Sequence, residues 1–147
     1  MATQTTYNSR ITALLAGQVV NAELTNKISR SVANSGGLPF GRPATRDSAG
    51  DDSVHLTTTG DTTVVGISII DQANDSASDQ YDQYDSAALM TQGKVAVLSG
   101  VAVDPGEAAY VVPATGTFTN VSTSNILVGE WDSTTAGNAL AVLKVKL

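Results

Sequence analysis

From residue 38 onward, apolar and polar positions alternate in short runs broken by turn residues, which is the periodicity of strands. Residues 54–59 set Val54 and Leu56 against His55 and Thr57, and Gly60-Asp61 follows as a turn. Residues 62–70 are rich in β-branched side chains, which pack well on a pleated surface. Residues 94–103 read as one long strand or as two short ones joined at Ser99-Gly100. Asp104-Pro105-Gly106-Glu107 puts Pro and Gly at the two central places of a type II turn. Strands are expected over 108–112, 117–121 and 126–131. The chain closes over 139–147, where Leu143, Val145 and Leu147 face away from Lys144 and Lys146. Short strands at near-regular spacing predict an all-β fold, a small barrel or sandwich-like body.

Two stretches break this texture. Residues 1–37 lack strand alternation and are expected to form an extended N-terminal arm with little regular structure. Within it Ser9 could cap a short helix over 10–16, ended by Gly17. Leu14, Leu15, Val19, Val20, Leu24 and Ile28 are too apolar for a purely solvated tail and need a surface to bury them. The second stretch, at about 71–89, carries Asp71, Asp75, Asp79, Asp82 and Asp85 and the near-repeat Tyr81-Asp82-Gln83-Tyr84-Asp85. It is expected to be a surface acidic loop, with Tyr81 and Tyr84 as contact residues and a short helix over 86–90. The organisation is thus an arm over 1–37 and a β-rich domain over 38–147.

Composition narrows what such a body does. The chain has 147 residues, a net charge of −6 and only 15% charged residues, while 18 threonines and 14 serines supply its polarity. At this length a core can form without staples, and the absence of cysteine removes disulfides, thiolate metal sites and cysteine nucleophiles. Charge is uneven. Residues 1–46 carry Arg10, Lys27, Arg30, Arg42 and Arg46 against Glu23, whereas 47–107 carry eleven carboxylates against Lys94. Clustered cations of the kind phosphate binding requires are missing, so nucleic acid is not an expected partner. The longest apolar run, 11–20, is broken by Thr12, Gly17 and Gln18, so neither a membrane span nor an export signal is expected.

Catalytic and metal motifs fail one by one. The acidic run lacks the central Gly and closing Glu of a calcium loop. Gly36 to Arg42 is no phosphate loop, because Arg42 and Pro43 stand where Lys and Ser or Thr are needed. His55 is the only histidine, it lies in an alternating strand, and no Gly-x-Ser-x-Gly elbow accompanies it. One histidine without cysteine leaves only carboxylates as further zinc ligands, so zinc is not expected. Trp131 is expected to anchor a core or an interface.

The order of several short motifs resembles the cement (decoration) proteins of tailed-phage capsids. These are Leu38-Pro39-Phe40-Gly41-Arg42, Val65-Gly66-Ile67-Ser68, the Tyr-containing loop at 81–85, and Leu98-Ser99-Gly100-Val101-Ala102-Val103. Gly106-Glu107 with Tyr110, Gly116-Thr117-Phe118, and the strand over 137–143 follow in sequence. The similarity covers about residues 38–147. It implies a structural virion protein without cofactor or metal, on the exterior of the capsid, that clamps neighbouring major capsid protein subunits. It also implies association with itself, a trimer ahead of a dimer. Arg10, Leu14, Leu15, Val19, Val20, Arg30, Phe40, Arg42 and Arg46 are the candidate capsid contacts, and Tyr110, Phe118 and Trp131 the candidate oligomer or core anchors. The other class compatible with the chain is a tail, fibre or carbohydrate-binding β-domain.

Overall fold

The computed structural model describes residues 14–21, 23–73 and 78–147. They form β1 (Asn26–Val32), β2 (Leu38–Pro39), β3 (Pro43–Arg46), β4 (Ser53–Leu56), β5 (Gly66–Ser68) and β6 (Gln80–Tyr81). β7 (Ser86–Ser99), β8 (Ala108–Val112), β9 (Thr117–Thr119), β10 (Ile126–Trp131) and β11 (Ala139–Lys146) complete the fold.

Nine strands make one sheet in the order β1-β4-β3-β5-β7-β11-β10-β8-β9, and two further pairings, β1 with β7 and β7 with β9, close it twice. The result is two rings of five strands that share β7. The first holds β1, β4, β3, β5 and the first half of β7. The second holds the other half of β7 with β11, β10, β8 and β9. A ring of five strands cannot reverse direction at every step, because an odd number of reversals does not return to the start. Each ring therefore requires a parallel pair. In the first it is β1 with β4, with Ser31 opposite Ser53 and Val32 opposite Val54. In the second it is β7 with β9, at Ser99 and Phe118. All other pairings are antiparallel. Closure covers most strand edges, which would otherwise invite pairing with foreign chains.

β7 passes from one ring to the other at a β-bulge. Lys27 pairs with Met90, but the preceding Asn26 pairs with Gln92. An extra residue bends a strand and increases its twist. Just beyond it Gly93 has φ +128°, and a Cβ there would stand 2.7 Å from the Thr25 side chain. Both the backbone angle and the space demand glycine.

Each ring has its own core. Val32, Leu38, Ala44, Val54, Tyr81, Ala87 and Leu89 fill the first. The second is larger and includes Val95, Val97, Val111, Phe118, Val128, Trp131, Leu143 and Val145. Trp131 and Phe118 meet edge to face, centroids 6.5 Å apart at 82°, a geometry the ring quadrupoles favour. Some of the hydroxyls that mark the composition are internal braces. Thr45 donates to the Thr63 carbonyl at 3.0 Å and accepts from Thr57 at 2.8 Å. The buried Ser68 donates to the Pro39 carbonyl at 2.6 Å and accepts from the Arg42 amide at 3.0 Å.

The all-β class, the strands over 108–112 and 126–131, and the turn at 104–107 agree with the sequence. Gly106 has φ +92°, and the Glu107 amide donates to the Asp104 carbonyl at 3.3 Å. Other expectations are corrected. Residues 86–90 are strand, not helix. Ala87 and Leu89 point into the core at a spacing of two while β1 pairs alongside, and pairing overrides the helix preference of Ala, Leu and Met. The expected strand over 62–70 contracts to β5, and that over 117–121 to β9. The acidic stretch is not all loop. β6 pairs with β2 through Tyr81 and Leu38, and Tyr81 is buried, its hydroxyl donating to the Ile69 carbonyl at 2.8 Å. β1 lies inside the stretch assigned to the arm, yet it is an integral wall of the first ring. The helix proposed over 10–16 falls mostly outside the described residues.

Replacing Trp131 with Ala removes the largest side chain of the second core and is expected to cost about 3–5 kcal/mol. Replacing Gly93 with Val forces a branched Cβ against Thr25 and is expected to cost roughly 1–3 kcal/mol. Chemical denaturation of each variant checks both values.

Candidate protein-binding surface

Residues 17–20 are bonded to the body rather than projecting from it. The Gly17 amide donates to Ala96 O at 2.8 Å, the Ala96 amide to Gln18 O at 2.9 Å and the Val20 amide to Lys94 O at 3.0 Å. Val19 bridges Val95 and packs on the second core. Gly17 has φ +80°, and a Cβ on it would stand 2.9 Å from the amide nitrogens of Gly41 and Ile70. The segment therefore fits a slot that only glycine can enter. Behind it, Lys94 forms ion pairs of 2.9 Å with both Glu23 and Asp132. Hydrogen bonds to these two carboxylates raise the Lys94 ammonium pKa above the usual lysine value.

The candidate capsid contacts divide accordingly. Val19 and Val20 owe their position to the chain's own sheet. Leu15 is 60% exposed and lines a groove of about 290 Å³ with Ala16, Pro39, Phe40 and Ile70, and Leu14 beside it is half-buried. Phe40 packs edge to face on Tyr81 at 5.1 Å. Arg42 ties the rings together, its Nη1 donating to the Gly116 carbonyl at 2.9 Å. Arg46 is exposed and reaches the Asp51 carbonyl at 2.7 Å, and Arg30 stands 3.9 Å from Asp52. Arg10 lies outside the described residues. Of the candidate anchors, Phe118 and Trp131 are core residues with 1% exposure each. Tyr110 is half-buried on the outer face of β8, opposite Leu127 of β10.

That outer face of the second ring was not singled out by sequence reasoning. Leu127 is 58% exposed and lines a groove of about 270 Å³ whose floor is Gly106, Ala108 and Gly129 and whose rim is Glu130 and Lys146. Glu130 is paired with Lys144 at 3.3 Å and with Lys146 at 3.0 Å, and these lysines, Lys146 first, hold its carboxyl below the usual range. Leu24, 79% exposed, flanks the same lysines from the other side. A signal existed in the strict alternation of β11, whose lysines had to face outward, but which strands lay beside it was a matter of topology.

His55 sits between carboxylates, Nδ1 3.0 Å from Asp47 and Nε2 3.1 Å from Asp61. Both ring nitrogens face an acid, and Asp61 also accepts from the Thr58 amide at 2.7 Å, so this cluster braces the β3–β4 hairpin. Among the described residues no group of three or more His, Asp or Glu is placed to hold a metal ion. No helix among them is long and apolar enough to cross a membrane.

Both grooves are edged by an exposed leucine, Leu15 in one and Leu127 in the other. A chain in the solved structure described as "The capsid of Myoviridae Phage XM1" shares the fold with a TM-score of 0.76 at 19% identity, over 99% of this chain and 98% of that one. No curated protein matches. The family model described as "Structural cement protein (E217 gp24/Pam3 gp6)" matches residues 3–146, and the chain therefore belongs to the phage structural cement protein family.

Proposed function

We propose that the protein binds the outer surface of an assembled phage capsid and clamps neighbouring major capsid protein subunits, stabilising the shell as a homo-oligomer, a trimer at local threefold positions ahead of a dimer. The observation that carries this is the cement-family match along residues 3–146. The fold supplies the means. Two fused rings make a stiff body, so little conformational entropy is lost when it docks. Its exposed apolar side chains, Leu15, Leu24, Tyr84 and Leu127 among them, are spread over both rings, so one molecule can touch more than one neighbour.

The reach onto a neighbouring subunit is assigned to residues 1–13, including Arg10, together with Leu14 and Leu15 at their root. Arg30 and Arg46 lie on the first ring and are available to acidic rims of the capsid protein.

Deleting residues 1–13 separates the arm from the fold, because residues 17–20 that hydrogen-bond to β7 are retained. The truncated protein is expected to keep its thermal midpoint and to lose at least tenfold in affinity for undecorated shells, measured by co-sedimentation. Unchanged affinity would assign capsid binding to the body alone and sink the arm.

A further inference from the structure

We infer that, in the free protein, residues 10–13 fold back from Leu14 into the groove at the arm's own root, with Ile11 filling it and Arg10 paired to Asp79. The contact deepens the reading of the arm above and rests on it: the segment assigned to the shell is held on the body until a shell draws it off. Leu15, Pro39, Phe40 and Ile70 give the groove apolar walls, and its volume is about 290 Å³. Asp79 is the one charged residue in that lining, and Asp71 follows Ile70 in the chain. Arg42, the cation nearest to Phe40 in sequence, donates instead to the Gly116 carbonyl at 2.9 Å. The groove therefore calls for an apolar side chain with a cation beside it.

The chain itself supplies that pair at the rim. Leu14, where the described chain begins, is half-buried, and Leu15 is already a wall of the groove. Residues 1–13 carry a single charged side chain, Arg10, and Ile11 follows it. Arg10 precedes Leu14 by four residues, at most roughly 14 Å of chain, so both side chains are within reach of the groove. So short a tether holds the segment at an effective concentration on the order of millimolar or above, which a separate chain does not match in dilute solution. The stretch before Ser78, residues 74–77, reads Asn-Asp-Ser-Ala and offers neither a large apolar side chain nor a cation. The walls are set beforehand. Phe40 packs on Tyr81, its amide donates to Asp79 O at 3.1 Å, and the Ile70 amide donates to Gly17 O at 2.9 Å. A Cβ on Gly41 would stand 2.7 Å from the Gly17 nitrogen, so the arm's root is locked against the Phe40 turn. Docking then orders only a few residues of the arm. A contact this small opens well below the global transition, so losing it leaves the thermal midpoint of the truncated protein unchanged.

Trypsin cuts after arginine, so the Arg10–Ile11 bond reports the contact. The free full-length protein and its Asp79→Lys and Ile11→Ser variants are digested briefly in dilute solution, and the cut at Arg10 is followed by mass spectrometry. Matching peptides over residues 5–16 correct for the protease's own preference. Ile11→Ser leaves every wall of the groove in place, so it keeps the test sound if Asp79→Lys disturbs the fold. Cleavage is expected at least fivefold faster in both variants than in the wild type. A wild-type rate in folded Asp79→Lys or in Ile11→Ser, as a groove reserved for the capsid protein would give, overturns the contact. Protection that rises with protein concentration puts the arm of a second copy in the groove and overturns it too. No shells are present, so a failure here leaves the arm's role on the capsid standing, and a failure to bind shells counts against the capsid reading alone.

Discussion

The shared strand β7 is the constraint on which the rest depends. Fourteen residues long, it is a wall of both rings, and its two halves contribute to two separate cores. Because each ring has five strands, each must close through a parallel pair, and those pairs, β1–β4 and β7–β9, are very short. The bulge opposite Asn26 and the glycine at 93 let one strand serve both rings. Residues 17–20 then run along the edge of β7 beyond β1, so the start of the described chain seals the body instead of leaving it.

What the sequence revealed followed from local physics. β10, the turn at 104–107 and the outward lysines of β11 were readable because alternation and turn chemistry are written in neighbouring residues. The two-ring topology was not, because β7 pairs with β1, β5, β9 and β11, all remote in sequence. Residues 86–90 misled because their intrinsic preference is helical while their register partners are not. Tyr81 and Tyr84 sit in a near-repeat, yet one is buried in the first core and the other is exposed at a strained turn. No pattern in the residues separates them; the β2–β6 pairing does. Arg42 and Val19, read as reaching outward, are tied to the chain's own backbone and core, while the Leu127 groove emerged only when β8, β10 and β11 lay side by side.

Such a body suits a structural cement protein. Few charges and many hydroxyls need not make a soft molecule, since Thr45, Thr57 and Ser68 spend their hydroxyls inside the first ring. The charge asymmetry along the chain also acquires a place. Carboxylates of the middle segment lie at the first ring's hairpin and turns, around His55 and beside Tyr84, while Lys144 and Lys146 of the C-terminal strand pair with Glu130 on the second ring.

The central claim is that this protein strengthens a shell by bridging its subunits, and heating shells with and without it tests that claim most directly. Undecorated shells are saturated with the full-length protein and their disruption temperature is followed by light scattering. The account predicts stoichiometric binding and a rise of several degrees in the temperature at which the shell comes apart. Binding that leaves this temperature unchanged, or no binding to intact shells, would contradict it.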